Sequence, residues 1–500
     1  MRLKRSTPIL QHSNFLLACA LLGGGMDKPR IVILGAGPAG LGAAYQLARR
    51  GLAQVNLLEQ NLFVGGNAGS FELAGMRVDY GSHRLHPACD AGILQDIRTF
   101  LGDDLLDRPR HGRIRLCGRW IHFPLQPVDL VLSLPRGFSL GIAADMVRKV
   151  VGNHNGRRDA ETFASVLERG LGRTICENFY FPYVRKIWGL APEELAVALA
   201  RRRISANSLS KMTRKVFTAL GVPKNGSRGR FFYPRHGYGQ ISEAYYSGAR
   251  HAGADIYLGA RVQSVEIENA SLRVLYQDRD GRTLELDADY VWSTIPITLL
   301  AKCLKPAVPR EILQSAEAIR YRAMILIYLV LEEEQFSEFD AHYFPEATIA
   351  ISRLSEPKNY RGGQEPKNLT VLCAELPCAP DGAEWQKSDE ELGRLVCDAL
   401  DVAGIPVRAP IKEIATRRIR QAYPIYARGY EDKFDLLDHW LARIDGLLTF
   451  GRQGLFAHDN THHALYMAYS AVDCLDKNGR FNRERWRSFR RIFDTHVVED

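Results

Sequence analysis

Three absences narrow what this chain of 500 residues can do. Its nine cysteines are scattered, odd in number and nowhere spaced Cys-x-x-Cys. Neither a disulfide framework nor a zinc site is expected, and the thiols read as reduced and buried. No run of about 18 apolar residues occurs, so no membrane-spanning helix is expected. No basic stretch is interleaved with aromatics on a nucleic-acid-binding motif, and the net charge of +9 suits anionic small molecules such as nucleotide phosphates. No metal-ligand set is read anywhere in the chain.

What is present is ordinary in bulk: 46% hydrophobic and 25% charged, at a length that calls for about two or three domains. The first 25 residues need separate treatment. Arg2, Lys4 and Arg5 precede a short apolar run at 15–22, which mimics a signal peptide. Met26-Asp27-Lys28-Pro29-Arg30 runs straight into a strand pattern, so Met26 as initiator, or a disordered tail before it, is the preferred expectation over export. A cytoplasmic location is expected, with at most peripheral contact at the inner face of a membrane.

The stretch around which the rest is organised is residues 31–59. Apolar Ile31-Val32-Ile33-Leu34 leads into Gly35-Ala36-Gly37-Pro38-Ala39-Gly40, a helix-compatible segment at 41–50, and a second apolar run ending on Glu59. Strand, glycine turn, helix, strand and acid form a dinucleotide-binding βαβ fingerprint. Gly35 permits the tight turn, Gly37 lets backbone approach a pyrophosphate, and Gly40 lets the helix sit close to the sheet. The helix N-terminus offers N–H groups to the phosphates. Glu59, 19 residues after Gly40, is placed to accept ribose hydroxyls. Gly65-Gly66-Asn67 then allows a second backbone approach to the same pyrophosphate, which suits FAD.

Further along, 71–73 and 76–79 read as short strands around Gly75, followed by Tyr80-Gly81-Ser82-His83-Arg84-Leu85-His86, a loop suited to pass near a ligand. Residues 91–225 read as mostly helical, with a strand at 120–125. The segment 128–151 is amphipathic, read as a core-packed helix pair in preference to a membrane-surface helix. Arg201-Arg202-Arg203 closes a helix, where cations suit the dipole; the functional reading is anion binding. The chain returns to the nucleotide domain at 231–240. A three-stranded meander is expected over 261–286, with 290–296 re-entering the parallel sheet. Strands at 323–331, 369–376 and 411–422, with helices at 309–319 and 388–402, form a second region. Gly451-Arg452-Gln453-Gly454 precedes a helix at 461–475. The arginines of the tail read as a solvated helix face.

These residues resemble the FAD-dependent amine oxidase and protoporphyrinogen oxidase superfamily: the glycine fingerprint with Glu59, Gly65-Gly66-Asn67, the Arg261-Val262 strand and Gly451-Arg452. The resemblance covers most of residues 26–475. Trp188-Gly189 with Pro192-Glu193-Glu194-Leu195, and the segment 234–239, are similar to protoporphyrinogen oxidase-like proteins. Gly66-Asn67-Ala68, the Tyr80 to His86 loop and the Gly451-Arg452-Gln453-Gly454 turn look like UDP-galactopyranose mutase. Two departures separate the chain from a standard mutase. Phe456 and His458 stand where that family has diphosphate-holding tyrosines, and an expected arginine falls on Asn207, with Arg203 close by.

The resemblance implies an α/β fold: a Rossmann-type, glutathione-reductase-like FAD-binding domain with a β-meander, interleaved with a mixed α+β substrate domain. Residues 1–25 are set apart; 26–95, 229–300 and 426–478 form the FAD-binding domain; 96–228 a mainly helical cap; 301–425 the substrate domain; 479–500 a basic helix. It implies FAD held by Gly35, Gly37, Pro38, Ala39, Gly40, Glu59, Gly65, Gly66, Asn67, Gly81, Ser82, Val262, Gly451 and Arg452. His83, His86 and Arg452 are the implied catalytic residues. The reaction implied first is hydride transfer from a small organic substrate to flavin N5. The mutase likeness implies a redox-neutral isomerisation of a nucleotide sugar on reduced flavin, with Trp188, Arg203, Tyr238, Phe456 and His458 lining the cleft.

Overall fold

A computed structural model describes residues 28–123, 133–151, 161–203, 229–268, 271–362 and 366–498. The leader and Asn207 lie outside the described residues. Two sheets organise the rest. The first has five strands, all parallel, in the spatial order Leu447–Thr449, Tyr290–Ser293, Arg30–Leu34, Gln54–Glu59 and Asp255–Leu258. Its central strand is a continuous apolar run because both faces are covered, as parallel sheets require; Ile31, Val32, Ile33 and Leu34 are fully buried. The helix Pro38–Arg49 starts with proline in its first turn, where the missing N–H costs nothing. It packs so closely on the helix Thr461–Asp473 that a Cβ on Gly42 would stand 2.8 Å from Leu465 Cδ2.

The meander follows the expected alternation, with Arg261–Ile267, Leu272–Gln277 and Thr283–Ala288 antiparallel. A short fourth strand, Leu304–Lys305, adds in parallel to the first of them.

The second sheet is mixed and has seven strands, ordered Ile411–Pro424, Tyr321–Leu331, Thr370–Cys378, Arg353–Ser355, Ala341–Tyr343, Gly112–Leu116 and Arg119–Phe123. Residues of Tyr321–Leu331 alternate between two cores, as the period of a strand dictates. Ile325, Ile327 and Leu329 meet Leu392, Val396 and Leu400 of the helix Asp389–Val402. Met324, Leu326, Tyr328 and Val330 meet Leu73, Met76 and Val78, the hairpin that continues from the nucleotide unit. The second sheet therefore lays one face on the cofactor half.

One expectation is extended. The region read as mostly helical with a strand at 120–125 holds that strand, Arg119–Phe123, and two that were not read, Leu105–Pro109 and Gly112–Leu116. Leu105–Pro109 pairs with Arg230–Pro234. The other two form a hairpin that extends the second sheet, running parallel to Ala341–Tyr343. The period of two was present in Gly112-Arg113-Ile114-Arg115-Leu116; Ile114, Leu116 and Ile121 are buried together. The tail forms the helix Arg483–Phe493, with Arg483 and Arg490 on Asp445 and Asp438 and with Trp486 and Phe493 buried. Among the described residues no helix is long and apolar enough to cross a membrane.

Candidate functional site

Three glycine turns converge on the N-terminus of the helix Pro38–Arg49. Gly35 leaves the first strand with φ of +98°, and a Cβ on Gly40 would stand 1.9 Å from the Gly35 carbonyl oxygen, so the helix sits where only glycine fits. The second turn is tied to the first: Gly65 N–H donates to the Ala36 carbonyl at 2.8 Å. A Cβ on Gly66 would lie 3.7 Å from Gly37 Cα, and a Cβ on Gly37 would meet nothing within 4 Å. That open space, faced by two backbones, is the cradle a pyrophosphate needs. From the third turn, Gly451 closes on the helix start, its absent Cβ 2.7 Å from Ala39 Cβ.

Glu59 is buried at the end of the second strand. Its Oε2 accepts from Ala36 N–H at 2.8 Å, and its Oε1 accepts from Asn61 N–H and Nδ2–H at 2.9 and 2.7 Å. Each carboxylate oxygen has two acceptor directions, so Oε2 keeps one for a ribose hydroxyl. Ala260 N–H donates to the Glu59 carbonyl at 2.8 Å, which sets Val262 at the root of the meander beside this acid. Asn67 reaches the Gln421 carbonyl at 3.4 Å. These residues fit FAD.

The loop that follows the hairpin is held from both sides. Asp79 is buried and accepts from Ser70 Oγ–H at 2.6 Å, Tyr233 O–H at 2.5 Å and Tyr238 N–H at 2.8 Å. Its carbonyl accepts from Tyr328 O–H of the second sheet at 2.6 Å. Gly81 and Ser82 run against Glu375: Ser82 N–H donates to Glu375 Oε1 at 2.9 Å, and Ser82 Oγ shares a hydrogen bond with Tyr360 O–H. His83 stacks on Tyr238 with centroids 5.3 Å apart and its Nε2 lies 2.9 Å from the Tyr80 carbonyl. A carbonyl only accepts, so Nε2 carries the proton. Burial pushes the imidazole pKa below its usual value. Arg84 turns away from the loop to Asp340, Tyr343 and Tyr360. His86 accepts from Ala88 N–H at 3.1 Å through Nδ1.

Opposite the loop stands a pair that sequence reasoning missed. Arg353 and Glu375 are register partners on neighbouring strands and form a two-fold charge-assisted contact at 2.9 and 2.9 Å. The signal was there: Glu375 is the one charged residue in the fully buried strand Thr370–Cys378. Asp79 gave a weaker signal, closing a short strand just before the loop.

The remaining expectations separate. Arg452 donates to the carbonyls of Asp459 and Ala422 at 2.7 and 2.8 Å and lies over the Tyr423 ring. Trp188 ends the helix Phe181–Trp188, which follows a π-helical turn at Cys176–Tyr180, and stands edge-on to His458 at 6.1 Å. His458 also meets Tyr423 edge-on at 5.0 Å. These four side chains thus form one cluster. Tyr238 is buried behind His83 and is not part of it. Arg203 ends the helix Val197–Arg203. Phe456 is 2% exposed, with its ring among Tyr321, Tyr426, Tyr430 and Phe434. Its carbonyl accepts from Tyr426 O–H at 3.0 Å, and a phenyl ring, lacking a polar atom, is the residue such an aromatic enclosure tolerates.

A family model described as flavin containing amine oxidoreductase matches residues 38–412. A Klebsiella pneumoniae protein assigned as a UDP-galactopyranose mutase is 24% identical over 184 residues, 35% of this chain and 45% of that one. The chain spans about half the length of the curated relatives it matches. Among solved structures, reduced UDP-galactopyranose mutase superposes with a TM-score of 0.75 at 20% identity, covering 89% of this chain and 93% of the other. A protein of Exiguobacterium sp. 255-15, assigned as a protoporphyrinogen oxidase, superposes with a TM-score of 0.69 at 19% identity, covering 90% and 99%. At these identities the superpositions establish the fold: a Rossmann-type cofactor domain with a substrate domain.

Proposed function

We propose, for a chain that belongs to the flavin-containing amine oxidoreductase family and depends on FAD, that it oxidises a small organic substrate held between the two sheets. FAD, when bound, supplies the hydride-accepting chemistry. The chain binds, orients and manages protons. Gly37 and Gly66 present backbone to the pyrophosphate, and Glu59 Oε2 takes a ribose hydroxyl. His83, neutral and with its Nε2–H engaged by the Tyr80 carbonyl, offers Nδ1 to accept a proton from the substrate. His86 extends the same loop. Arg452 orients the turn that carries His458.

The observation that carries this reading is the turn after Arg452. Phe456 is sealed in the aromatic core, and of the nearby arginines Arg353 and Arg84 are each matched by a buried acid. Arginines already paired with acids have less to offer a diphosphate, which favours an organic substrate without one. A second reading, a redox-neutral nucleotide-sugar mutase, draws on the Tyr80 to His86 loop, the Gly451 to Gly454 turn and the mutase names among the curated relatives. The test is anaerobic. Oxidised, flavin-loaded enzyme is challenged with porphyrinogens, polyenes and amines while its visible absorbance is followed. Dithionite-reduced enzyme is then given UDP-sugars. Bleaching by an organic donor supports the oxidoreductase, and His83→Ala is expected to slow it by about 100-fold or more. Sugar isomerisation on reduced enzyme alone, without bleaching, overturns it.

A further inference from the structure

We propose that Asp459, His463 and His496 bind a divalent transition-metal ion of the zinc class and so fasten the C-terminal tail behind the flavin-side turn. Asp459 belongs to the segment after that turn, His463 to the first turn of the helix Thr461–Asp473, and His496 follows the helix Arg483–Phe493. One ligand atom from each lies within 4.8 Å of the other two. His496 Nδ1 is 2.9 Å from Asp459 Oδ2, and both side chains are nearly sealed, at 9% and 0% exposure. The His463 ring lies 4.2 Å from that of His496.

A second observation comes from the adjoining residue. His462 is buried, its ring is 4.1 Å from His463, and its Nδ1 has no hydrogen-bond partner among the described residues. A buried nitrogen lone pair without a donor is costly. Three imidazoles and one carboxylate are thus packed together, with His496 hydrogen-bonded to Asp459 and His463 Nδ1 accepting from Asn460 N–H at 3.3 Å. Two imidazoles and a carboxylate suit Zn2+ and its neighbours in the first transition row. Ligand atoms around one such ion stand about 3.3 Å apart, so the widest side of the triangle must close by roughly 1.5 Å. That closure requires the His463 ring, now 15° from parallel with His496, to turn against the 3.3 Å contact its Nδ1 makes with Asn460 N–H. The Asp459 carbonyl is already held by Arg452 Nη1 at 2.7 Å, so an ion here is mechanically tied to the turn that reaches Ala39 through Gly451.

The test uses the full-length, FAD-loaded protein after EDTA treatment and dialysis. Calorimetric titration with Zn2+ alone is expected to show one site, and Zn2+ is expected to raise the Tm. Co2+ should give the ligand-field absorption of a low-coordinate nitrogen-oxygen site. His496→Asn retains a hydrogen-bonding group toward Asp459 and should keep its flavin spectrum, yet bind Zn2+ at least about 100-fold more weakly. His463→Gln is expected to do the same. Equal Zn2+ affinity in the wild type and both variants, or no stoichiometric binding by the wild type, overturns the proposal.

Discussion

At the carboxyl ends of the inner strands of the five-stranded sheet the decisive residues are Gly35, Gly37, Gly40, Gly65 and Gly66, and what they offer is room and backbone N–H groups. On the facing wall of the seven-stranded sheet the decisive residues are Arg353, Glu375, Tyr423 and, from the loop, Ser82 and His83, and what they offer is side-chain charge and rings. The first surface is shaped by omission of atoms. The second is shaped by paired charges brought together from separate strands. The contrast teaches that the glycine turns are sensitive to added volume at Gly35 and Gly40, whereas the facing wall is sensitive to an unbalanced charge.

The largest expected effect tests the first half of that statement. Gly40→Ala places a methyl group 1.9 Å from the Gly35 carbonyl oxygen. A cost of about 3 kcal/mol or more is expected, read as protein purified without flavin and FAD affinity at least ~100-fold weaker by fluorescence titration. Full flavin occupancy in this variant would show that close packing at the turn does not govern binding.

Next in size is Glu375→Gln. It leaves the Arg353 guanidinium buried with no opposing charge, and about 3–5 kcal/mol of stability should be lost in urea at pH 7. Replacing both partners, Arg353→Met with Glu375→Leu, should recover most of that loss. If the single and double variants are equally unstable, shape rather than charge holds this wall.

The smallest effect separates the sheets by acid. His342 lies on the second sheet, and burial, with Arg113 nearby, pushes its pKa down to about 3. The unfolded chain takes up that proton near pH 6.5. The unfolded state therefore binds the proton first, so stability falls as the pH drops below about 6.5, by about 1.4 kcal/mol at about pH 5.5. No strand of the five-stranded sheet carries a histidine. Hydrogen exchange should open Ala341–Tyr343 at mildly acid pH before Arg30–Leu34, and His342→Leu should remove the difference.

What was legible in the sequence follows the same divide. The βαβ unit was readable because every contact that defines it is made within about thirty residues, and glycine spacing is itself the chemistry. The meander and the long strands were readable from period-two alternation. The hairpin Gly112–Phe123 was not assigned as one unit, because its partner strand lies at Ala341–Tyr343 and arginines occupy its alternate positions. The Arg353–Glu375 pair was not anticipated either; a charge inside an apolar strand announces that a partner exists but not which one. The aromatic enclosure of Phe456 was not legible either, because Tyr321, Tyr426, Tyr430 and Phe434 come from distant segments.

The late arrival of the strand Leu447–Thr449 has a consequence for synthesis on the ribosome. Four strands of the parallel sheet are available once residue 293 has emerged, but the fifth, and Gly451 with it, comes only near residue 451. At ~5–20 residues per second that interval is roughly 8–30 s. Throughout it the Tyr290–Ser293 edge, later paired from Val291 to Leu447, is an open row of N–H and C=O groups. The nascent chain is thus most prone to mispairing in the interval when its cofactor cradle still lacks its third side. A message truncated between those two points would yield a product that has nearly the whole sheet and retains no flavin to cover it.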